Sequence, residues 1–221
     1  ESRLKGATLR SSHALVVEEL GRAIVSGAFP EHVLLPGDHD LMDRFHVSRT
    51  VLREAMKTLA AKRLIEAKSR VGTRVCARDR WNFVDPDVIG WMMRDGMAPD
   101  FVRHLAEMRL ALEPATAALA AKNATESEVA ELTAIALRMD NPAHTRESIA
   151  RVDLEFHLAI AAMSRNPFMR SVSSLIEAAL AVSFQLSSPA LSREGIAQCA
   201  GDHLSIANAI ASRDSDKAAD A

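Results

Sequence analysis

Apolar positions along most of this chain recur at helical spacing, with one short stretch where they alternate. In SSHALVVEELGRAIVSGAF, Leu15, Val16, Leu20, Ala23 and Ile24 share one helical face, and Gly27 marks an end. A shorter helix follows Pro36, with Leu41, Met42 and Phe45 on one side. Ser48 is a natural N-cap for a third helix, whose stripe is Val51, Leu52, Ala55, Met56 and Leu59. LIEAKSRVGTRVCA then alternates around a turn at Gly72, as a β-hairpin would. ARDRWNFVDPDV breaks the pattern with charge and Pro86. Beyond it every predicted element is a helix: 87–94, 100–122, 126–139, 145–163, 167–187 and 191–212. Pro99, Asn141-Pro142, Asn166-Pro167 and Pro189 punctuate them. The pattern predicts a mainly α chain: a helix-rich unit with a hairpin over 1–78, a linker over 79–86 and an all-helical bundle over 87–221.

Length fits that division, since 221 residues suit two domains of roughly 100–150 residues each. At 48% apolar and 25% charged residues, the composition is that of an ordinary globular protein. No apolar run approaches the roughly 20 residues that span a bilayer, and the N-terminus lacks an apolar leader core. Cys76 and Cys199 have no CxxC-like spacing, so free thiols in a reducing cytoplasm are expected.

The net charge of −2 conceals an asymmetry. Residues 1–80 carry fifteen Lys and Arg against ten Asp and Glu; residues 81–221 carry twelve against nineteen. Within 44–80 the balance is eleven basic to three acidic. Such a segment is either a solvated basic surface or a module that binds a polyanion.

Two helices joined by a tight turn, the second rich in Arg near its start, fit a helix-turn-helix. In VSRTVLREAM, Arg49, Thr50 and Arg53 lie in the first turns while their apolar neighbours turn inward. Arg bonds base edges bidentately, and Arg and Thr both bond phosphates, so these residue types suit a major groove. Lys68, Arg70 and Arg74 of the hairpin would form a basic wing beside it.

The run LPGDHDLMDRFHVSRTVLREAMKTLAAKRLIEAKSRVGTRV resembles the winged helix-turn-helix of the GntR family of bacterial transcription regulators. That resemblance implies operator DNA as a partner and a homodimer. It assigns Ser48, Arg49, Thr50 and Arg53 to the DNA, with Arg70 and Gly72 in the wing. Many members have Glu-Arg or Glu-Glu where this chain has Asp38-His39, so His39 stands where an Arg often contacts DNA.

RVDLEFHLAI, residues 151–160, presents a different problem. Asp153 and His157 lie four apart, on the face that also carries Ile149, Val152, Phe156 and Ile160. A buried, unpaired charge costs several kcal/mol, so the two must be satisfied. Three readings are open: a core Asp–His pair, two ligands of a metal, or a catalytic His oriented by Asp. No serine-nucleophile elbow and no HExxH accompany them. His203 shares an apolar stripe with Cys199, Ile206 and Ile210, so it also points inward. Asp153, His157 and His203 together could supply three metal ligands from two helices, leaving positions for water or a ligand oxygen. Arg109, on a helix with Leu105, Met108 and Leu112, either snorkels and pairs with Glu113 or binds a carboxylate bidentately. Ser183 and Gln185, in AVSFQLSS, are further pocket candidates, and Asn166 reads as a cap before Pro167.

MRLALEPATAALAAKNAT, DLEFHLAIAAMSRNPFM and DHLSIANAIASRD resemble the effector-binding domain of the FadR-like branch of the same family. That resemblance implies an all-α effector-binding bundle, frequently metal-binding, that senses small carboxylates. It assigns Asp153, His157 and His203 to a divalent metal (Zn, Ni or Mn), with a fourth ligand, another His, past Ala221 and hence an incomplete last helix. It turns Arg109 into the ligand cavity. RWNFVDPDVIGWMM and AKRLIE resemble the branch that holds galactonate-operon repressors and hexuronate regulators, which implies a sugar acid such as an aldonate or hexuronate. The expectation is a cytoplasmic repressor that is not an enzyme. Its rival is a metal-dependent enzyme acting on a small carboxylate, with a DNA-binding appendage.

Overall fold

The computed structural model describes residues 2–95 and 99–221; the side chains of 2–11, 173, 174, 183 and 185 lie outside that description. The chain is mainly α and divides into two compact units, Glu1–Met97 and Ala98–Ala221.

The first unit contains α1 (Ser2–Val25), α2 (Asp38–Phe45), α3 (Arg49–Ala61), strands β1 (Ile65–Lys68) and β2 (Gly72–Val75), and α4 (Pro86–Arg94). Its apolar stripes converge as their spacing requires: Val16, Leu20 and Ile24 of α1 are buried with Leu41 of α2 and Leu52, Ala55 and Leu59 of α3. His46 closes α2 in the left-handed region at φ 51, which turns the chain sharply into α3. The Ser48 hydroxyl then accepts from the Val51 N–H and starts α3. β1 and β2 pair antiparallel, Ile65 opposite Val75 and Lys68 opposite Gly72, and an isolated bridge from Leu34 to Arg74 extends the hairpin. Gly72 has φ +121, a conformation that L side chains rarely adopt, so a side chain there would strain the wing turn.

α4 departs from the expected boundary. The sequence pattern puts a linker at 79–86 and gives the following helix to the bundle, whereas α4 joins the first unit and packs along α1. The physical reason is its apolar face, on which Val88, Ile89, Trp91 and Met92 are buried. Gly21 makes the approach possible, because a Cβ there would lie 2.4 Å from the Trp91 ring. Polar contacts fix the same seam. The Trp91 indole donates to Glu18 at 2.8 Å, and Lys62, at the end of α3, reaches both Asp85 and Asp87 at 2.7 Å.

The second unit is all helix among its described residues: α5 (Pro99–Asn123), α6 (Glu126–Met139), α7 (Arg146–Met163), α8 (Pro167–Ser171), α9 (Ser173–Leu186), α10 (Arg193–Ala211) and α11 (Ser215–Asp220). Thr125 with Glu128 and Thr145 with Ser148 make capping boxes that set where α6 and α7 begin. Asn166 caps α8, accepting from the Phe168 N–H at 3.0 Å, so it is used in the way its position before Pro167 suggests. The single helix expected over 167–187 is interrupted at Val172, and α11 is an addition that the apolar pattern did not signal. Asp214 caps α11, whose Ala218 is buried. In the core, Ala117, Ala120 and Ala121 of α5 meet Leu132, Ile135, Phe156, Ile160, Ala207 and Ile210. Alanines let the backbones approach closely, and each larger apolar side chain so buried contributes about 1.5–3 kcal/mol. No helix among the described residues is long and apolar enough to cross a membrane.

Candidate functional site

On the first unit, α3 separates its faces cleanly. Val51, Leu52, Ala55 and Leu59 are buried, whereas Ser48, Arg49, Thr50 and Arg53 are exposed at its N-terminal end. Lys68, Arg70 and Gly72 are exposed in the wing, with Arg70 at φ 63 on the turn itself. His39 is exposed on α2 and its Nδ1 lies 2.9 Å from Asp43. This is a short basic helix backed by an apolar core with a basic hairpin after it, the shape and residue chemistry that read a major groove.

On the second unit, α7 and α10 bring three sequence-predicted residues together. Asp153 is 3% exposed, and His157 and His203 are nearly as well covered. His203 Nε2 lies 2.9 Å from Asp153 Oδ1, and His157 Nε2 lies 3.9 Å from Asp153 Oδ2. The two imidazoles meet edge to face, with centroids 5.5 Å apart, and Phe156 packs edge-on against both. His203 Nδ1 donates to the Cys199 carbonyl at 2.7 Å, which turns Nε2 toward the carboxylate. Asp153 Oδ2 is a buried atom with no hydrogen-bond partner, while Oδ1 forms a close ion pair with His203 Nε2. A buried carboxylate oxygen left unsatisfied beside two imidazoles fits a divalent metal, which accepts lone pairs without demanding a donated proton.

Electrostatics divide the two histidines. Burial pushes the His157 pKa down against the pull of Glu113 and Asp153, so its imidazole is neutral and free to ligate. Burial also opposes the charge on His203, but its bond to Asp153 and the contacts to Cys199 outweigh it, and its pKa is pushed up to about 10, so a metal has to displace the proton of an imidazolium paired with Asp153.

Arg109 pairs with Glu113 and also borders a cavity. Its Nε and a terminal nitrogen donate to the Glu113 carboxylate at 2.7 and 3.1 Å, and the cavity has a volume of about 440 Å³. Glu113, which sequence reasoning treated only as that partner, extends further: its Oε2 lies 3.6 Å from His157 Nδ1. It therefore places a negative charge near the outer nitrogen of the imidazole whose Nε2 faces Asp153. Pro114 lies inside α5 at this point, and the Thr116 hydroxyl bonds the Leu112 carbonyl in the same turn. The described lining of the cavity is largely aliphatic, from Leu105, Ile160, Ile176, Ala179 and Val182 among others, with Arg109, Glu113, Thr116 and His157 as its polar members. Ser183 and Gln185 fall on α9, but their side chains lie outside the described residues. Cys199 was missed as a donor. Asp153, Cys199 and His203 each offer a ligand atom within 4.8 Å of the others.

Comparison with known proteins agrees with both units. Residues 13–75 match the family described as bacterial regulatory proteins, gntR family, and residues 104–221 match the FCD domain family. The chain belongs to the GntR family, in its FCD-containing branch. This GntR-family chain is 36% identical over 163 residues to the uncharacterized HTH-type transcriptional regulator YieP of Escherichia coli, covering 73% of this chain and 71% of that one. It is 33% identical over 169 residues to the galactonate operon transcriptional repressor of the same organism, covering 76% and 73%. With the transcriptional repressor NanR of Klebsiella aerogenes it shares 29% over 205 residues, 92% of this chain and 78% of the other. A solved structure of Lar, which controls expression of the agr system of Listeria monocytogenes, superposes with a TM-score of 0.58 at 20% identity, covering 94% and 89%, and so supports the fold. These relatives are regulators of transcription rather than enzymes, and this GntR regulator is a DNA-binding protein of that kind. The enzyme reading of its Asp–His pair is set aside.

Proposed function

We propose that this regulator is a repressor that binds a pseudo-palindromic operator as a homodimer and whose operator affinity is set by a small carboxylate in the bundle cavity. The observation that carries the sensing half is the buried Asp153 carboxylate, whose Oδ2 has no hydrogen-bond partner, between His203 and His157, of which His157 also lines the cavity. Asp153, His157 and His203 would hold a divalent ion, which supplies a Lewis-acidic point for a carboxylate oxygen. Arg109 would complete the anchor, because its guanidinium can exchange part of its bond to Glu113 for a bond to the incoming carboxylate, a bidentate partner of the same geometry.

In DNA recognition, Arg49 and Arg53 would read base edges, Ser48 and Thr50 would bond phosphates, and Arg70 with the Gly72 turn would grip the flank. His39 would lie against the backbone. One α3 reads only a short sequence, so two copies about one DNA turn, roughly 34 Å, apart supply specificity. Effector binding shifts a pre-existing equilibrium between DNA-binding and non-binding arrangements, and can do so only by the difference in its affinity for the two.

A sugar acid is the favoured effector, supported by a relative that is named for the galactonate operon. One observation favours a second class: the described cavity wall is mostly aliphatic, which suits a carboxylate with an apolar tail. The division of labour is tested by Arg53→Ala, measured by fluorescence anisotropy on DNA from upstream of its own coding region. Operator affinity is expected to fall by about 5–150-fold, the loss of one bidentate base contact of about 1–3 kcal/mol, with carboxylate-induced thermal stabilisation retained. Loss of both together contradicts the reading.

A further inference from the structure

We infer that Cys199 is a metal ligand, so that the bundle site is a mixed nitrogen, oxygen and sulfur site rather than one of histidines and a carboxylate alone. The inference rests on the metal reading above and adds a donor to it. Two helices face each other across the site, and each offers two donor residues one turn apart. On α7 these are Asp153 and His157; on α10 they are Cys199 and His203. Residues four apart on a helix lie on one face; Asp153, Cys199 and His203 form the close cluster, and His157 flanks it at 3.9 Å from Asp153 Oδ2. Ligand atoms of Asp153, Cys199 and His203 all fall within 4.8 Å of one another; Cys199 Sγ also lies 3.7 Å from His203 Nδ1, a hydrogen-bond contact that a metal would replace.

The cysteine does not stand alone. The Asp153 side chain is 5% exposed, belongs to the same cluster, and has a carboxylate oxygen, Oδ2, with no hydrogen-bond partner. A core Cys that served packing alone would be an inert small hydrophobe among apolar neighbours. Cys199 packs against both apolar clusters of the unit, but it also shares a cluster with His203 and with a buried carboxylate that has an unpartnered oxygen. Its backbone joins in as well, since its carbonyl accepts the Nδ1 proton of His203. One residue thus orients the imidazole and offers a sulfur beside it. Cys76, the chain's other thiol, is buried in the first unit and serves as the internal control.

A thiolate in the donor set changes which metal the site prefers. Sulfur favours Zn²⁺, Co²⁺ and Ni²⁺ over Mn²⁺ and Mg²⁺, which seek oxygen. Of the three metals that the resemblance left open, manganese becomes the least suited.

The test is Co²⁺ titration of the full chain, first stripped of metal, followed by absorption. The wild type is expected to show visible d–d bands together with a near-ultraviolet sulfur-to-cobalt charge-transfer band. Cys199→Ser is expected to keep the d–d bands, lose the charge-transfer band and bind Zn²⁺ at least about tenfold more weakly, while Cys76→Ser keeps both bands. Cys199→Ala, with circular dichroism on both variants, distinguishes a lost ligand from a lost fold. Visible bands in the wild type without the charge-transfer band overturn the sulfur ligand and leave the histidine and carboxylate site standing. A charge-transfer band that survives in Cys199→Ser overturns it too, because the sulfur is then elsewhere. Absence of any cobalt binding by the wild type overturns the metal reading itself.

Discussion

The two units keep their chemistry in opposite places. In the first, the residues expected to act are on the outside: Arg49, Thr50, Arg53 and Arg70 are exposed, and the core behind them is apolar. In the second, they are inside, with Asp153 buried and His157 and His203 mostly covered, both packed edge-on by Phe156. The difference is the one that the proposed recognition by each unit requires. A polyanion such as DNA is too large to enclose, so it is met by surface charge that releases counterions and by a few aligned donors. A small ion or carboxylate must be stripped of water before a protein can hold it selectively, which requires a buried set of donors already in place. Surface arginines cost the fold little, whereas a buried carboxylate needs compensating charge, which Asp153 draws from His203.

That contrast can be broken from either side. The largest expected effect is on the buried side. Asp153→Asn keeps the shape but removes the charge that both histidines face, and divalent-metal affinity is expected to fall by about 100-fold or more by isothermal titration calorimetry. Operator affinity of the metal-free protein should be unchanged in anisotropy; a comparable loss there would mean that the two chemistries are not separate. The smallest expected effect is on the exposed side. His39→Arg adds a full positive charge on an exposed turn of α2 and should raise operator affinity by less than about tenfold. It should also steepen the salt dependence by about one released counterion. An unchanged salt slope would remove position 39 from the DNA interface.

The sequence made these two regions legible by different signals. α3 and the hairpin were readable because basic residues and an apolar stripe alternate at clean spacing and Ser48 and Gly72 mark where elements start and turn. The bundle site was readable through violations, as polar residues on apolar faces: Asp153 and His157 on one helix, His203 on another. What escaped notice was anything that needs tertiary contact. Glu113 lies on a different helix from His157, and nothing in the spacing ties them, yet they are 3.6 Å apart. Cys199 could have been found, because its four-residue offset from His203 repeats that of Asp153 and His157, but cysteine is also an ordinary core residue and the echo is weak. The boundary at α4 was misread for the same reason. Val88, Ile89, Trp91 and Met92 announce a buried face without saying against which unit it is buried, and only Gly21, with its room for an indole, supplies the answer. The short α11 has too few apolar residues to show a period, although Asp214 is a legible cap.

The central claim is that the bundle senses a carboxylate through a metal held by buried side chains. The most direct measurement is the thermal unfolding of the full chain across a panel of sugar acids and aliphatic carboxylates, in metal-stripped protein and after Zn²⁺ is restored. The account predicts that at least one carboxylate raises Tm in the zinc-restored protein, and that the shift shrinks or vanishes when the metal is stripped, as ligand linkage requires. An equal shift with and without metal, or no shift for any carboxylate in the zinc-restored protein, would contradict it.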